Sequence, residues 1–154
     1  QWQFRNDKLD EQTYNQGKQL LKIATVIQYF LPGNPCIFYG DEVGLYGYKD
    51  PFNRKCFPWN KIDDELYKFF SDLGRIRNQY KFLKTANAKI LEAKENIFAF
   101  ERYDAENKML VIVNRTEQNI NVEVTQDYKN GKVIFEVNSS KDIISKYGIL
   151  IIVS

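Results

Sequence analysis

A continuously apolar run, Pro35-Cys36-Ile37-Phe38-Tyr39, lies between the helix breaker Pro32-Gly33 and the acidic pair of Gly40-Asp41-Glu42. An apolar segment this short with no polar alternation suits a strand covered on both faces in a parallel sheet. Residues upstream support that reading. Leu20, Leu21, Ile23, Ala24, Ile27 and Phe30 recur at three- and four-residue intervals, the spacing of an amphipathic helix. A helix followed at once by a buried strand is half of a βαβ unit.

Gln1 to Gln16 is polar and without a strong period. From Gly40 to Asn60, glycines and prolines interleave with Tyr46, Tyr48, Phe52, Phe57 and Trp59, which predicts a long aromatic loop. Trp59, just before the next helix, reads as its most structural aromatic. Asp63-Asp64-Glu65 opens that helix with charge suited to its positive end. Leu66, Phe69, Phe70, Leu73 and Ile76 form its stripe, and Arg75 and Arg77 suit its C-terminal end.

After Lys84 the period changes to two. Ala88 to Ala93, Ile97 to Tyr103, Met109 to Val113, Ile120 to Thr125, Lys132 to Val137 and Gly148 to Val153 are strand candidates. Turn-rich segments such as Asp104 to Lys108 and Asn130-Gly131 separate them. The sequence therefore divides near Lys84 to Ala88, giving segments 1–84 and 85–154.

Composition bounds the chemistry. At 44% hydrophobic and 15% aromatic the chain has material for a packed core. A net charge of +2, with both signs interspersed, gives no footprint for nucleic acid or an anionic membrane. The longest apolar runs fall short of the roughly 20 residues a spanning helix needs. There is no histidine, which removes Ser-His-Asp and Cys-His catalysis and nearly all zinc chemistry. No metal or cofactor is expected. Cys36, in the buried strand candidate, and Cys56, in the loop, read as free thiols.

The string Leu31 to Gly44 followed by Lys49-Asp50-Pro51-Phe52-Asn53-Arg54-Lys55-Cys56-Phe57-Pro58-Trp59 closely resembles the last barrel strand and following loop of the α-amylase family (glycoside hydrolase family 13). The neopullulanase, cyclomaltodextrinase and α-glucosidase branch is nearest. The resemblance is specific over about a quarter of the chain, and the remainder fits by pattern. It implies an α+β fragment: the last helix-strand-helix part of a (β/α)8 TIM barrel over 1–84, then an antiparallel β-sandwich C-terminal domain over 85–154. A whole barrel takes roughly 250 residues, so a chain of 154 residues holds only part of one.

By the same resemblance, the parent is a retaining glycosidase acting on α-glucosidic bonds in maltooligosaccharides, starch or related glucans. An Asp nucleophile, a Glu acid/base and a second Asp belong to the fourth, fifth and seventh strands, upstream of this chain. The catalytic set within the chain is therefore empty. The family's Asn-His-Asp stretch would fall shortly before Gln1, with Arg5 a remnant of the segment after it. The chain alone is expected to be inactive, and its cut barrel part to self-associate. A cytoplasmic parent is favoured over a secreted one.

Asp50 and Arg54 match residues that contact substrate in neopullulanase-like enzymes. A carboxylate accepting two hydrogen bonds and a guanidinium donating several suit vicinal sugar hydroxyls. A mutual ion pair that only holds the loop is the competing reading. Asp41 and Glu42 sit where a barrel strand ends and its side chains converge. Either could shape the cleft; the plainer alternatives are a turn-forming Asp41 and a Glu42 paired with Arg54 or Lys55. Tyr46, Tyr48, Phe52 and Trp59 are candidate stacking faces for glucose, with plain packing the competing reading for each and strongest for Trp59. The alternative to the enzyme reading is a non-catalytic glucan-binding or interaction β-module.

Overall fold

The computed structural model describes residues 9–47, 50–51 and 53–154. Arg5, Tyr48 and Phe52, named above, lie outside the described residues. The first helix, α1 (Glu11–Phe30), begins well inside the stretch that sequence periodicity left irregular. Its start is set by Asp10, whose carboxylate accepts from the Thr13 N–H at 2.8 Å, a capping signal that apolar spacing does not register. Its inward face is also rotated from the expected stripe. Ile23, Val26, Tyr29 and Phe30 are buried, whereas Leu20 and Ala24 face outward.

The helix stops before Pro32-Gly33 as expected, but Pro35 to Tyr39 forms no strand. The segment carries no ladder pairing, and Ile37, Phe38 and Tyr39 are 42%, 71% and 55% exposed. Cys36, expected in a buried strand, is exposed, and both cysteines are free. An apolar run becomes a strand only when a neighbouring backbone takes its N–H and C=O groups. Among the described residues no strand does so: the Phe38 carbonyl accepts only from the Asp41 N–H of the following turn at 3.1 Å, and the Cys36 carbonyl from the Gln28 side chain at 2.7 Å.

The second helix, α2 (Asp64–Gln79), follows its sequence signals closely. Asp63 caps it by accepting from the Leu66 N–H, and Leu66, Phe69, Phe70, Leu73 and Ile76 are all buried. Arg77 does not serve its own helix end. It reaches across to donate to the carbonyls of Tyr29 and Gly33, which satisfies the end of α1 instead.

A 3₁₀ turn over Lys81–Lys84 leads into six strands: β1 (Asn87–Ala93), β2 (Ile97–Tyr103), β3 (Lys108–Asn114), β4 (Ile120–Asn121), β5 (Lys132–Ser139) and β6 (Ile143–Val153). All pair antiparallel in one sheet of order β1-β2-β3-β6-β4, with β5 also on β6. The candidate strand Ile120 to Thr125 pairs only at Ile120 and Asn121. Its remainder leads into a short helix, α3 (Gln126–Lys129), through the Tyr128 N–H bonded to the Thr125 carbonyl.

Period two places the sheet's residues on two faces. Phe100, Val111 and Ile151 lie in one cross-strand row on the helix side, where they join Val26, Phe30, Phe69 and Leu73 in a single core. Ala99, Ile112 and Leu150 form the matching row on the opposite face. There Val124 and Tyr128 cover them, so the segment that fails to extend β4 instead closes the second face.

Candidate functional site

Gly40 and Gly44 bracket a 3₁₀ turn, Asp41–Val43, and both have positive φ, 89° and 73°. Glycine is suited to that conformation, and Gly44 has a second constraint, because a Cβ there would run into the Tyr14 hydroxyl. The turn half-buries Asp41 and Glu42, and the Asp63 N–H bonds to the Val43 carbonyl at 3.1 Å, tying it to the start of α2.

Burial first, and then the charge of neighbouring Glu42, push the Asp41 carboxyl above its usual range, so it holds its proton more readily than a surface aspartate. Glu42 Oε2 is buried and has no hydrogen-bond partner among the described residues. The expected pairing of Glu42 with Arg54 or Lys55 does not form. Arg54 bonds to Asp50, and the Lys55 ammonium lies 4.6 Å from the centre of the Tyr46 ring.

Asp50 and Arg54 do come together. Arg54 Nε donates to Asp50 Oδ1 at 2.8 Å, with both side chains largely exposed. Among the described residues no hydrogen bond or ion pair joins them to Asp41 or Glu42. Tyr46 is half-buried and meets Tyr14 edge-on at 5.9 Å. Trp59, read from sequence as structural, is 80% exposed; its ring rests on Phe57 at 4.7 Å, and Phe57 in turn meets Tyr39 at 5.9 Å. These aromatics continue the exposed surface of Ile37 and Phe38.

One cluster escaped the sequence reading. Lys18 Nζ donates to both carboxylate oxygens of Asp63 and pairs with Glu65, the Tyr14 hydroxyl donates to Asp63, and Lys22 pairs with Glu65. Tyr14, Lys18 and Lys22 are spaced four apart, so the signal was a polar stripe on one helix face. The cluster fastens α1 to the start of α2, directly behind the Gly40–Gly44 turn. Among the described residues no group of His, Cys, Asp and Glu is arranged to hold a metal ion, and no helix is long and apolar enough to cross a membrane.

No protein-family model matches the chain. Similarity to individual proteins is extensive, however. The chain is 33% identical over 133 residues to an amylopullulanase of Thermoanaerobacter thermohydrosulfuricus, covering 79% of this chain and 9% of that protein. It is 40% identical over 101 residues to a cyclomaltodextrinase of a Bacillus species, covering 63% and 18% respectively. The crystal structure of maltogenic amylase from S. marinus superposes with a TM-score of 0.73 at 29% identity, over 88% of this chain and 19% of that one. The chain thus spans a small part of each relative. Those sequence matches and the shared fold together place the chain in the α-amylase family, as a C-terminal portion.

Proposed function

We propose that the chain is the C-terminal segment of a retaining α-glucan hydrolase, in which residues 1–84 close a (β/α)8 barrel and 85–154 form the antiparallel β domain behind it, a single sheet in place of the expected sandwich. The observation that carries this reading is the unpaired apolar run Pro35–Tyr39, leading straight into the half-buried Asp41-Glu42 turn. Exposed apolar backbone of this kind is the edge a neighbouring barrel strand would cover. Glu42 Oε2, buried and without a partner among the described residues, is a carboxylate oxygen that a donor from such a strand would satisfy.

In this proposal Asp50 and Arg54 grip sugar hydroxyls on one side of the cleft, Tyr46 lines it, and Asp41 and Glu42 support its floor. The substrate is an α-glucan or maltooligosaccharide. Retention requires a nucleophile and acid/base about 5 to 5.5 Å apart, and both come from strands beyond this chain.

The test has two parts. The purified chain, verified by mass, is incubated with maltooligosaccharides, pullulan and cyclodextrins, and no turnover is expected. The coding sequence upstream is then read for a continuous frame encoding the remaining strands and their three carboxylates. Turnover by the chain alone, or a frame that lacks those strands, defeats the proposal.

A further inference from the structure

A cleft of about 540 Å³ opens between the end of α1, the middle of α2 and the 3₁₀ turn before the sheet. Tyr29, Asn34, Gly74, Arg77, Asn78 and Lys84 line it, and no carboxylate does. Among the described residues Arg77 bonds only to the carbonyls of Tyr29 and Gly33, which leaves further guanidinium N–H groups unassigned. Behind it, buried Arg102 adds a second guanidinium that bonds only to backbone carbonyls. Among the described residues neither arginine, nor Lys84, has a salt-bridge partner. A helix C-terminus supplies roughly half a negative charge, so the end of α1 answers only a fraction of this cationic charge.

Two observations independent of charge mark the same place. Tyr29 is 6% exposed as a whole, and among the described residues its hydroxyl makes no hydrogen bond, which leaves it free to donate on the wall of the cleft. Burial, and then the charge of Glu42, raise its pKa, so the hydroxyl keeps its proton. Gly74 lies inside α2, where glycine is destabilising relative to alanine, without needing its conformational freedom. A Cβ there would meet only Tyr29 Cε1 at 3.9 Å, an ordinary contact. Gly74 therefore presents bare backbone to the cleft that Arg77 also lines.

We infer that this cleft is a binding site for a tetrahedral oxyanion of the phosphate class, held by Arg77, Lys84 and the Tyr29 hydroxyl over the bare backbone of Gly74. Guanidinium and ammonium donors suit phosphate oxygens through charge-assisted hydrogen bonds. A volume of this size admits either free phosphate or the phosphoryl end of a sugar phosphate.

The intact chain is titrated calorimetrically with inorganic phosphate and, separately, with glucose 1-phosphate, each against chloride at matched ionic strength. Saturable binding to either upholds the site; tighter glucose 1-phosphate assigns it to a sugar phosphate, and equal affinity assigns it to phosphate itself. Gly74→Leu, which fills the cleft, and Lys84→Gln, on an exposed side chain, are each expected to weaken binding about tenfold, with the fold verified by circular dichroism. Arg77 is left intact because it also holds the end of α1. Heats equal to those of chloride, or variants that bind as the unaltered chain does, overturn the inference.

Discussion

Arg102 Nη1 donates to the Phe30 carbonyl at 2.7 Å, so a side chain of β2 closes the last turn of α1 from 72 residues away. The same guanidinium donates to the carbonyls of Asn87, Leu83 and Ala86. Arg102 is 1% exposed and lies in phase with Phe98 and Phe100, on strand positions that otherwise face the core. Burial pulls its pKa below the usual arginine value, and the charge of Arg77 adds to that. The charge is tolerated because carbonyl dipoles surround it.

Replacing Arg102 removes a donor from four carbonyls at once, and Leu in its place offers none in return. Arg102→Leu should lower unfolding stability by about 3–5 kcal/mol, as for other broken buried charge networks. Arg102→Lys should fall between, since an ammonium has three donors and no fork. Urea unfolding monitored by circular dichroism measures both. A loss under about 1 kcal/mol for the leucine variant would mean that water or neighbouring groups replace the guanidinium.

Gly44→Ala and Gly17→Ala should move stability in opposite directions. Alanine at φ 73° costs about 1–2 kcal/mol, and its Cβ displaces the Tyr14 hydroxyl from Asp63. Gly17 lies within α1 with open space where a Cβ would sit, so alanine should stabilise by about 0.5–1 kcal/mol. Thermal melts of the two variants side by side decide the matter.

The Lys18 cluster gives stability an acid limit. Burial alone would raise the Asp63 pKa, but hydrogen bonds from Lys18, the Leu66 N–H and Tyr14 outweigh it, and the value is lowered from 3.8. Hydrogen bonds from Lys18 and Lys22 lower Glu65 from 4.5. A carboxylate depressed in the folded state stabilises fully above its unfolded pKa and loses that contribution as pH falls through the folded one. The melting temperature should therefore be insensitive to these groups above about pH 5 and fall through and below the ordinary carboxylate range. For Lys18, burial opposes the charge, yet hydrogen bonds to Asp63 and Glu65 raise the pKa above 10.5. Its contribution is thus present below that value and lost only as pH rises through the raised one. Lys18→Met should flatten the acid limb, and melts from pH 7 to pH 3 would show an unchanged limb if the cluster contributes nothing.

Phe38→Lys should reduce self-association without lowering stability. Phe38 is 71% exposed between the exposed Ile37 and Tyr39, so the substitution removes apolar surface that contributes little to the core. Light scattering across a concentration series reads the mass. If the unaltered chain is monodisperse and monomeric throughout, the proposed role of this face in pairing is in difficulty.

Local signals were sufficient for much of this molecule. The stripe from Leu66 to Ile76 and its Asp63 cap set α2, and alternation with turn residues set β2, β3 and the ends of β5 and β6, because these preferences act over a few residues. The order of residues from Leu31 to Trp59 also carried the family resemblance. Tertiary structure decided what depends on distant partners. It left Pro35–Tyr39 outside the sheet because among the described residues no strand pairs with it, and it turned Val122 to Tyr128 into a cover for the sheet once the pairing with β6 ran out at Asn121. It also joined Asp50 to Arg54 while leaving Glu42 Oε2 without a partner among the described residues. Burial of Arg102 is the extreme case: a cation in a core register becomes tolerable only when helix, turn and strand bring four carbonyls to one point.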